Sequence, residues 1–241
     1  MPERPYRYFA EVYDSLLDQQ RFYDGYYRFI LKILGKLKFS PKSVLDLACG
    51  TGKLAEVFLR KGYTIEGLDL SKEMLRIARK RGLKVHAGNM TEFNLRKKFD
   101  LALCTFDALN YLRSLSDVRK CFDRVSLHLN DKGLFIFDFN SDYKINQHLP
   151  KVSMTMHYDV GSVEVLWSNY HKPDTWVAEI GVTSKGKKSY EKHIEKAYSM
   201  AEVRSSLKDA GFKIIGVYSD FEFNKVKKNS LKWFFVCRKQ V

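Results

Sequence analysis

Val44–Gly52, "VLDLACGTG", is the stretch that decides the fold. It reads as a strand running into a turn pinched by Gly50 and Gly52, with helical pattern from Lys53. Glycine enters left-handed backbone conformations readily and lets other atoms approach the main chain closely. Strand, glycine turn and helix N-terminus together open a nucleotide-binding βαβ unit. Asp46 breaks the pattern, because it puts a carboxylate inside a strand that should be apolar.

Outward from this stretch, the pattern alternates. Strands are predicted at 43–48, 63–69, 83–87, 99–105 and 132–139, and helices at about 53–61, 72–81 and 116–129, with a loop from 88 to 98. Gly62 and Gly82 close the first two helices, Ser71 can cap the second, and Asn130–Gly133 turns into the fifth strand. Two aromatic-rich amphipathic helices, Tyr6–Leu17 and Arg21–Leu37, precede the first strand. From Lys151 to Ala197 the alternation gives way to strand-forming runs, read as an antiparallel meander of about four strands. Ser199-x-x-Glu202 is a capping box, its helix stops at Gly211, and strands at about 212–219 and 231–238 fit a closing hairpin. The expected fold is α/β: a doubly wound, mostly parallel seven-stranded sheet whose last strand is antiparallel. Residues 1–241 form one domain, with a β insertion at 151–197 serving as a lid.

The 241 residues suffice for such a domain, and 45% hydrophobic with 29% charged residues describes a globular chain. No apolar run reaches the length of a membrane span, and "MPERPYRYFAEVYD" has no signal core, so the expected location is the cytoplasm and no membrane partner is expected. Four cysteines without a C-x-x-C pair argue for reduced thiols and against a zinc or disulfide framework. The net charge of +14 makes nucleic acid a partner to weigh.

Two ligands compete for the glycine turn. "GTGKLA" satisfies G-x-G-x-x-G/A, and Asp69 follows at the interval of a ribose-binding acid, so a nicotinamide-dependent dehydrogenase is allowed. Asp46 would repel a pyrophosphate, which is anionic. It would welcome S-adenosylmethionine, whose amino-acid tail carries an ammonium group.

Four motifs stand in order at the strand ends: "VLDLACGTG", "GLDLSKEML" (67–75), "HAGNMTEFNL" (86–95) and "FDLALCTFDALNYL" (99–112). Together they resemble the S-adenosylmethionine-dependent methyltransferases of the seven-stranded Rossmann-like class, over about residues 9–241. "FAEVYDSLL" and the β insertion resemble a bacterial subgroup that includes small-molecule N-methyltransferases. The resemblance implies that Ala48, Gly50 and Gly52 wrap the methionine moiety, with Asp46 at its ammonium end and Asp69 on the ribose. It implies that Leu70 and Met74 pack on the adenine, that Asn89 and Met90 read its edge, and that Cys104, Thr105 and Phe106 face the methyl group. Many relatives have Asp at the position of Asn89, whose amide oxygen can still accept from the adenine amino group. For Met74 and Met90, ordinary core packing is the competing reading.

Methyl transfer from a sulfonium is an in-line displacement that mainly requires alignment and exclusion of water, so no particular base has to be present. No Asn/Asp-Pro-Pro-Tyr/Phe motif follows the fourth strand, and no Pro-Cys pair is present. Tyr13, in the cofactor-covering "VYD", and Asp138, at the end of the fifth strand, are the candidate catalytic residues. Tyr23, Tyr26, Asn110, Tyr111, Asn140, His157, Trp167, Tyr170 and His171 are candidate lining residues for the acceptor. Three basic groups, Lys36–Lys42, Arg76–Lys84 and Arg96–Lys98, are expected at the sheet edge opposite the cofactor. A small-molecule acceptor is therefore expected ahead of RNA. A non-catalytic S-adenosylmethionine-binding subunit remains the other alternative.

Overall fold

The computed structural model describes residues 5–14, 19–148, 172–184 and 187–240. A seven-stranded sheet runs through it, built from β1 (Ser43–Leu47), β2 (Thr64–Asp69), β3 (Lys84–Ala87), β4 (Phe99–Cys104), β5 (Leu129–Asn140), β8 (Phe212–Tyr218) and β9 (Lys232–Lys239). Their order is β3-β2-β1-β4-β5-β9-β8. β1 to β5 pair in parallel, whereas β9 is antiparallel to both its neighbours. β6 (Thr175–Ser184) and β7 (Lys187–Lys196) form a separate antiparallel pair.

Alternation along the central strands buries both faces of the sheet. Leu45, Ala102 and Phe135 face one side, under α5 (Leu115–Leu127) and α6 (Met200–Asp209), whose Val118, Phe122, Val203 and Leu207 fill the core there. Val44, Leu101 and Leu134 face the other, under α2 (Gln19–Lys36), α3 (Lys53–Arg60) and α4 (Lys72–Lys80), through Ile30, Phe58 and Leu75. A parallel sheet covered on both faces has this continuous apolar pattern, and truncating one of its phenylalanines to alanine typically costs about 3–5 kcal/mol. Side-chain caps act where the sequence placed them: Ser71 Oγ accepts from Met74 N, and Ser199 and Glu202 close a full capping box.

Two expectations need correction, and a third falls partly outside the described residues. The helix expected from Tyr6 is only Ala10–Tyr13 (α1) among the described residues, and residues 5–9 are turns and bends. There the amides of Tyr6, Tyr8 and Phe9 donate to the Glu191 carboxylate instead of to helical carbonyls, and Tyr6 sits at φ 64°. β5 begins at Leu129, which pairs with Phe99; the turn at 130–133, with Lys132 at φ 62°, lies inside the strand as an irregularity. Of the meander of about four strands, the described residues hold the second half, as one hairpin. The strands expected between 151 and 171, with His157, Trp167, Tyr170 and His171, lie outside them.

The hairpin docks where β4 and β5 end. Asn110, in the single 3₁₀ turn Ala108–Tyr111, donates to the carbonyls of Asn140 and Lys196, and its own oxygen accepts from Asn140 N at 2.8 Å. Asn110 is fully buried and acts as the brace between sheet and hairpin.

Candidate active site

At the C-terminal ends of β1 to β4, a cavity of about 370 Å³ opens. Of the residues expected there, Tyr13, Ala48, Gly50, Asp69, Leu70, Met74, Asn89, Met90, Thr105 and Phe106 line it. Asp46, Gly52, Cys104 and Asp138 do not.

The two glycines divide their work. Gly50 has φ 54°, and a Cβ on it would stand in open space, with Met74 Sδ nearest at 4.0 Å. Gly52 has φ 77°, and its Cβ would meet that of Ala78 at 3.0 Å. Gly50 therefore leaves room in the cavity, while Gly52 lets the start of α3 close against α4.

Asp69 ties the turn to β2. One carboxylate oxygen accepts from Gly50 N and the other from Ser71 N, each at 2.8 Å. The carboxylate keeps acceptor capacity for a ribose hydroxyl. Burial pushes this carboxyl up against the pull of the amides of Ser71, Gly50 and Leu70. Leu70 beside it is 62% exposed, an apolar surface at the cavity with nothing packed on it to this extent. Asn89 accepts from Thr91 N at 3.0 Å, so its oxygen is half used in shaping the loop after β3.

Asp46 is 2% exposed, behind the cavity wall, and no ion pair to it occurs among the described residues. Burial and the nearby Asp69 push its carboxyl up to about 8. A cation brought against this region would relieve that burden. The acceptor capacity of Asp69, the exposed Leu70, the room above Gly50 and the unpaired Asp46 fit S-adenosylmethionine in its ribose, adenine, methionine and ammonium parts.

Past β4 the backbone is strained. Phe106 and Asp107 both have positive φ, 60° and 53°, as does Ala48 at 52°. Such residues cost of order 1–3 kcal/mol each and persist only where the surroundings hold them. Here Tyr23 and Tyr26, both buried, pack on Phe106 at 4.8 and 4.4 Å between ring centroids. Asp107 N donates to Asp138 Oδ2 at 3.0 Å, and Lys232 Nζ bridges Asp107 and Asp138 at 2.6 and 2.7 Å. Asp138 has no exposed surface, so its place in the fold is to anchor the turn that presents Phe106. Asn140 belongs to the same buried network, with Glu195 and Lys144 on its side-chain amide.

The N-terminal segment crosses the cavity. Pro5, Tyr6 and Tyr13 line it, Ser71 Oγ donates to Tyr6 O, and Glu191 accepts from the Tyr6, Tyr8 and Phe9 amides. Asp14 accepts from Thr51 Oγ1 at 2.8 Å and pairs with Arg81. Arg81, expected on the distant basic edge, instead turns back onto Thr51 O at 2.9 Å, because the close contact of Gly52 with α4 brings it there. Sequence reasoning missed Tyr6, Glu191 and His193. The signal was in "YEKHIEK", where Glu191, His193 and Glu195 alternate on one face of a strand.

The family model described as a methyltransferase domain matches residues 44–133. A protein of Geobacillus sp. (strain WCH70) named as a methyltransferase is 31% identical, over 97% of this chain and 99% of its own. The crystal structure of an S-adenosylmethionine-dependent methyltransferase from Clostridium acetobutylicum superposes with a TM-score of 0.84 at 30% identity, over 99% of this chain and 100% of that one. An enzyme of Streptomyces fradiae, a dTDP-3-amino-3,6-dideoxy-alpha-D-glucopyranose N,N-dimethyltransferase, is 33% identical over 54% of this chain and 52% of its own.

Proposed function

This chain belongs to the S-adenosylmethionine-dependent methyltransferases, and from that premise we propose that it methylates an amine or hydroxyl of a small molecule. The bound cofactor supplies an activated methyl group, so the chain's residues have to bind, orient and exclude water. Asp69 would hold the ribose, Leu70 and Met74 the adenine, Asn89 and Met90 its edge, and Ala48 and Gly50 the methionine moiety. Asp46 acts from behind the wall on the ammonium end, and Gly52 through packing. Thr105 and Phe106, with Cys104 beneath them, face the transfer position, and Tyr13 covers it. Residues 1–241 act as one unit, with the hairpin and the N-terminal segment as its cover.

One observation carries the choice of acceptor. Among the described residues, the charged ones on the cavity wall are Asp69, Glu92, Asp117 and Arg113, so acids predominate there although the chain as a whole carries +14. A phosphate backbone would meet repulsion at this mouth, whereas an amine or neutral hydroxyl would not. The name of the Streptomyces fradiae relative, an amino-sugar N,N-dimethyltransferase, supports an amine.

The test is transfer of labelled methyl to dTDP-3-amino-3,6-dideoxy-glucose, to catechol, to a pool of small primary amines, and to total RNA. Label in a small molecule is the expected outcome. Label in RNA alone would reverse the choice of acceptor. Tight cofactor binding with no transfer to any of them would favour the non-catalytic subunit.

A further inference from the structure

Glu191, His193 and Glu195 occupy alternate positions of β7 and are 2%, 2% and 4% exposed. A half-buried strand normally turns its apolar residues inward, and this one turns titratable groups inward. From that face a chain of hydrogen bonds leads to the cavity. Glu191 Oε2 lies 3.3 Å from His193 Nε2, His193 Nδ1 lies 2.9 Å from the Tyr111 hydroxyl, and that hydroxyl lies 2.8 Å from the hydroxyl of Tyr6. Both tyrosines line the cavity.

The direction of each bond follows from its far end. Burial pushes the Glu191 carboxyl up, but His193 and the amides of Phe9 and Tyr8 outweigh it and hold the group below its ordinary value. An ionised carboxylate only accepts, so Nε2 of His193 carries a proton, and in the neutral ring that the relay requires Nδ1 is the acceptor. Tyr111 must then donate to Nδ1, and Tyr6 to Tyr111. That leaves both lone pairs of the Tyr6 oxygen without a donor in this chain of bonds.

Resting on the methyltransferase reading above, we propose that Tyr6, Tyr111, His193 and Glu191 form the route by which the acceptor loses its proton. The acceptor's N–H or O–H bond breaks and its proton joins the Tyr6 oxygen, while the electron pair stays on the acceptor atom that takes the methyl group. The Tyr6 hydroxyl proton passes to Tyr111, and that of Tyr111 to His193 Nδ1. The imidazolium so formed faces the Glu191 carboxylate. Tyr6 is the catalytic residue; Tyr111, His193 and Glu191 are positioning residues that act through it. Burial raises both phenols well above their ordinary value, which keeps them neutral and makes them carriers rather than bases. The rings facing His193 are Tyr6, Phe9 and Tyr111, and Tyr111 also feels Glu195, Asp107 and Tyr13.

Two measurements decide the matter. The first is ¹⁵N NMR of histidine-labelled protein saturated with S-adenosylhomocysteine, which requires no acceptor. Neutral His193 with its proton on Nε2, and an Nδ1 resonance that moves in Tyr111→Phe, is expected. A proton on Nδ1, or an imidazolium from about pH 6 to 9, would leave no site for the acceptor's proton and overturn the proposal. The second compares wild type, His193→Asn and Tyr111→Phe on whichever of the amino-sugar nucleotide and catechol is methylated faster. Each variant should lose kcat about a hundredfold or more, the usual scale of a proton acceptor, with cofactor affinity kept. His193→Asn should also lose the acid limb of the pH profile. An unchanged limb and kcat would refute the relay while leaving the methyltransferase reading intact. Absence of transfer in wild type counts against the acceptor class, and the NMR result then judges the relay alone.

Discussion

The amide of Gly50 donates to the carboxylate of Asp69 at 2.8 Å, joining the turn after β1 to the end of β2. The acid assigned to the ribose is therefore also the clasp that holds the glycine turn open. Asp69→Ala should weaken S-adenosylmethionine binding at least tenfold, since charge-assisted hydrogen bonds contribute about 1.5–3 kcal/mol each. It should also lower stability by about 1–3 kcal/mol, because two backbone amides lose their partner. Calorimetric titration with urea melts checks both; full affinity in the folded variant would move the ribose elsewhere.

The glycine pair offers a contrast. Gly52→Ala forces a Cβ to 3.0 Å from that of Ala78 at φ 77°, and should cost about 1–3 kcal/mol of stability. Gly50→Ala carries the left-handed strain of φ 54° but meets nothing closer than Met74 Sδ at 4.0 Å, so it should cost less stability than Gly52→Ala and weaken cofactor binding more. Thermal melts with and without S-adenosylmethionine would separate the two, and equal loss of stability would contradict the division.

Asp46 predicts a proton exchange. Its carboxyl is pushed up to about 8 by burial and by Asp69, and burial with Asp107 does the same to Glu195. An acid whose value is raised on folding stabilises the fold below its unfolded value, about 4, and that stability is lost as pH rises through about 8. The protein without ligand should thus melt at lower temperature at pH 9 than at pH 6. The ammonium of S-adenosylmethionine pulls Asp46 back towards ionisation, so binding at pH 7 should release a proton and tighten as pH rises to about 8. Identical binding enthalpies in phosphate and Tris would show that no proton leaves.

Asp138 should behave as a support. Asp138→Ala leaves Lys232 with Asp107 alone and takes the acceptor from the Asp107 amide, which frees the Phe106–Asp107 turn; losing a buried acceptor costs about 1–3 kcal/mol. A urea midpoint like that of wild type, with transfer abolished, would instead make Asp138 a chemical group.

Much of the fold was legible because its cause is local. Strands of the parallel sheet are continuous apolar runs, and glycines, Ser71 and the Ser199–Glu202 box punctuate them within a few residues. The cavity wall was legible for the same reason: Ala48, Gly50, Asp69, Leu70 and Asn89 lie at or just past strand ends. Local pattern misled where a distant partner took over. Residues 6–9 have helical spacing, yet their amides go to Glu191, more than 180 positions away in sequence.

By itself, then, the sequence determined the α/β order of elements, the glycine turn and the acid carried by each of the first two strands. Tertiary structure alone decided which glycine faces the cavity, that Asp138 is fully buried under Lys232, and that Tyr6, Tyr111, His193 and Glu191 meet. The physical reason is range. Backbone preference and hydrophobic period act over a few residues and leave their mark in the order of the letters. A hydrogen-bonded chain assembled from the N-terminal segment, a turn after β4 and an inserted hairpin leaves none until the sheet brings its members together.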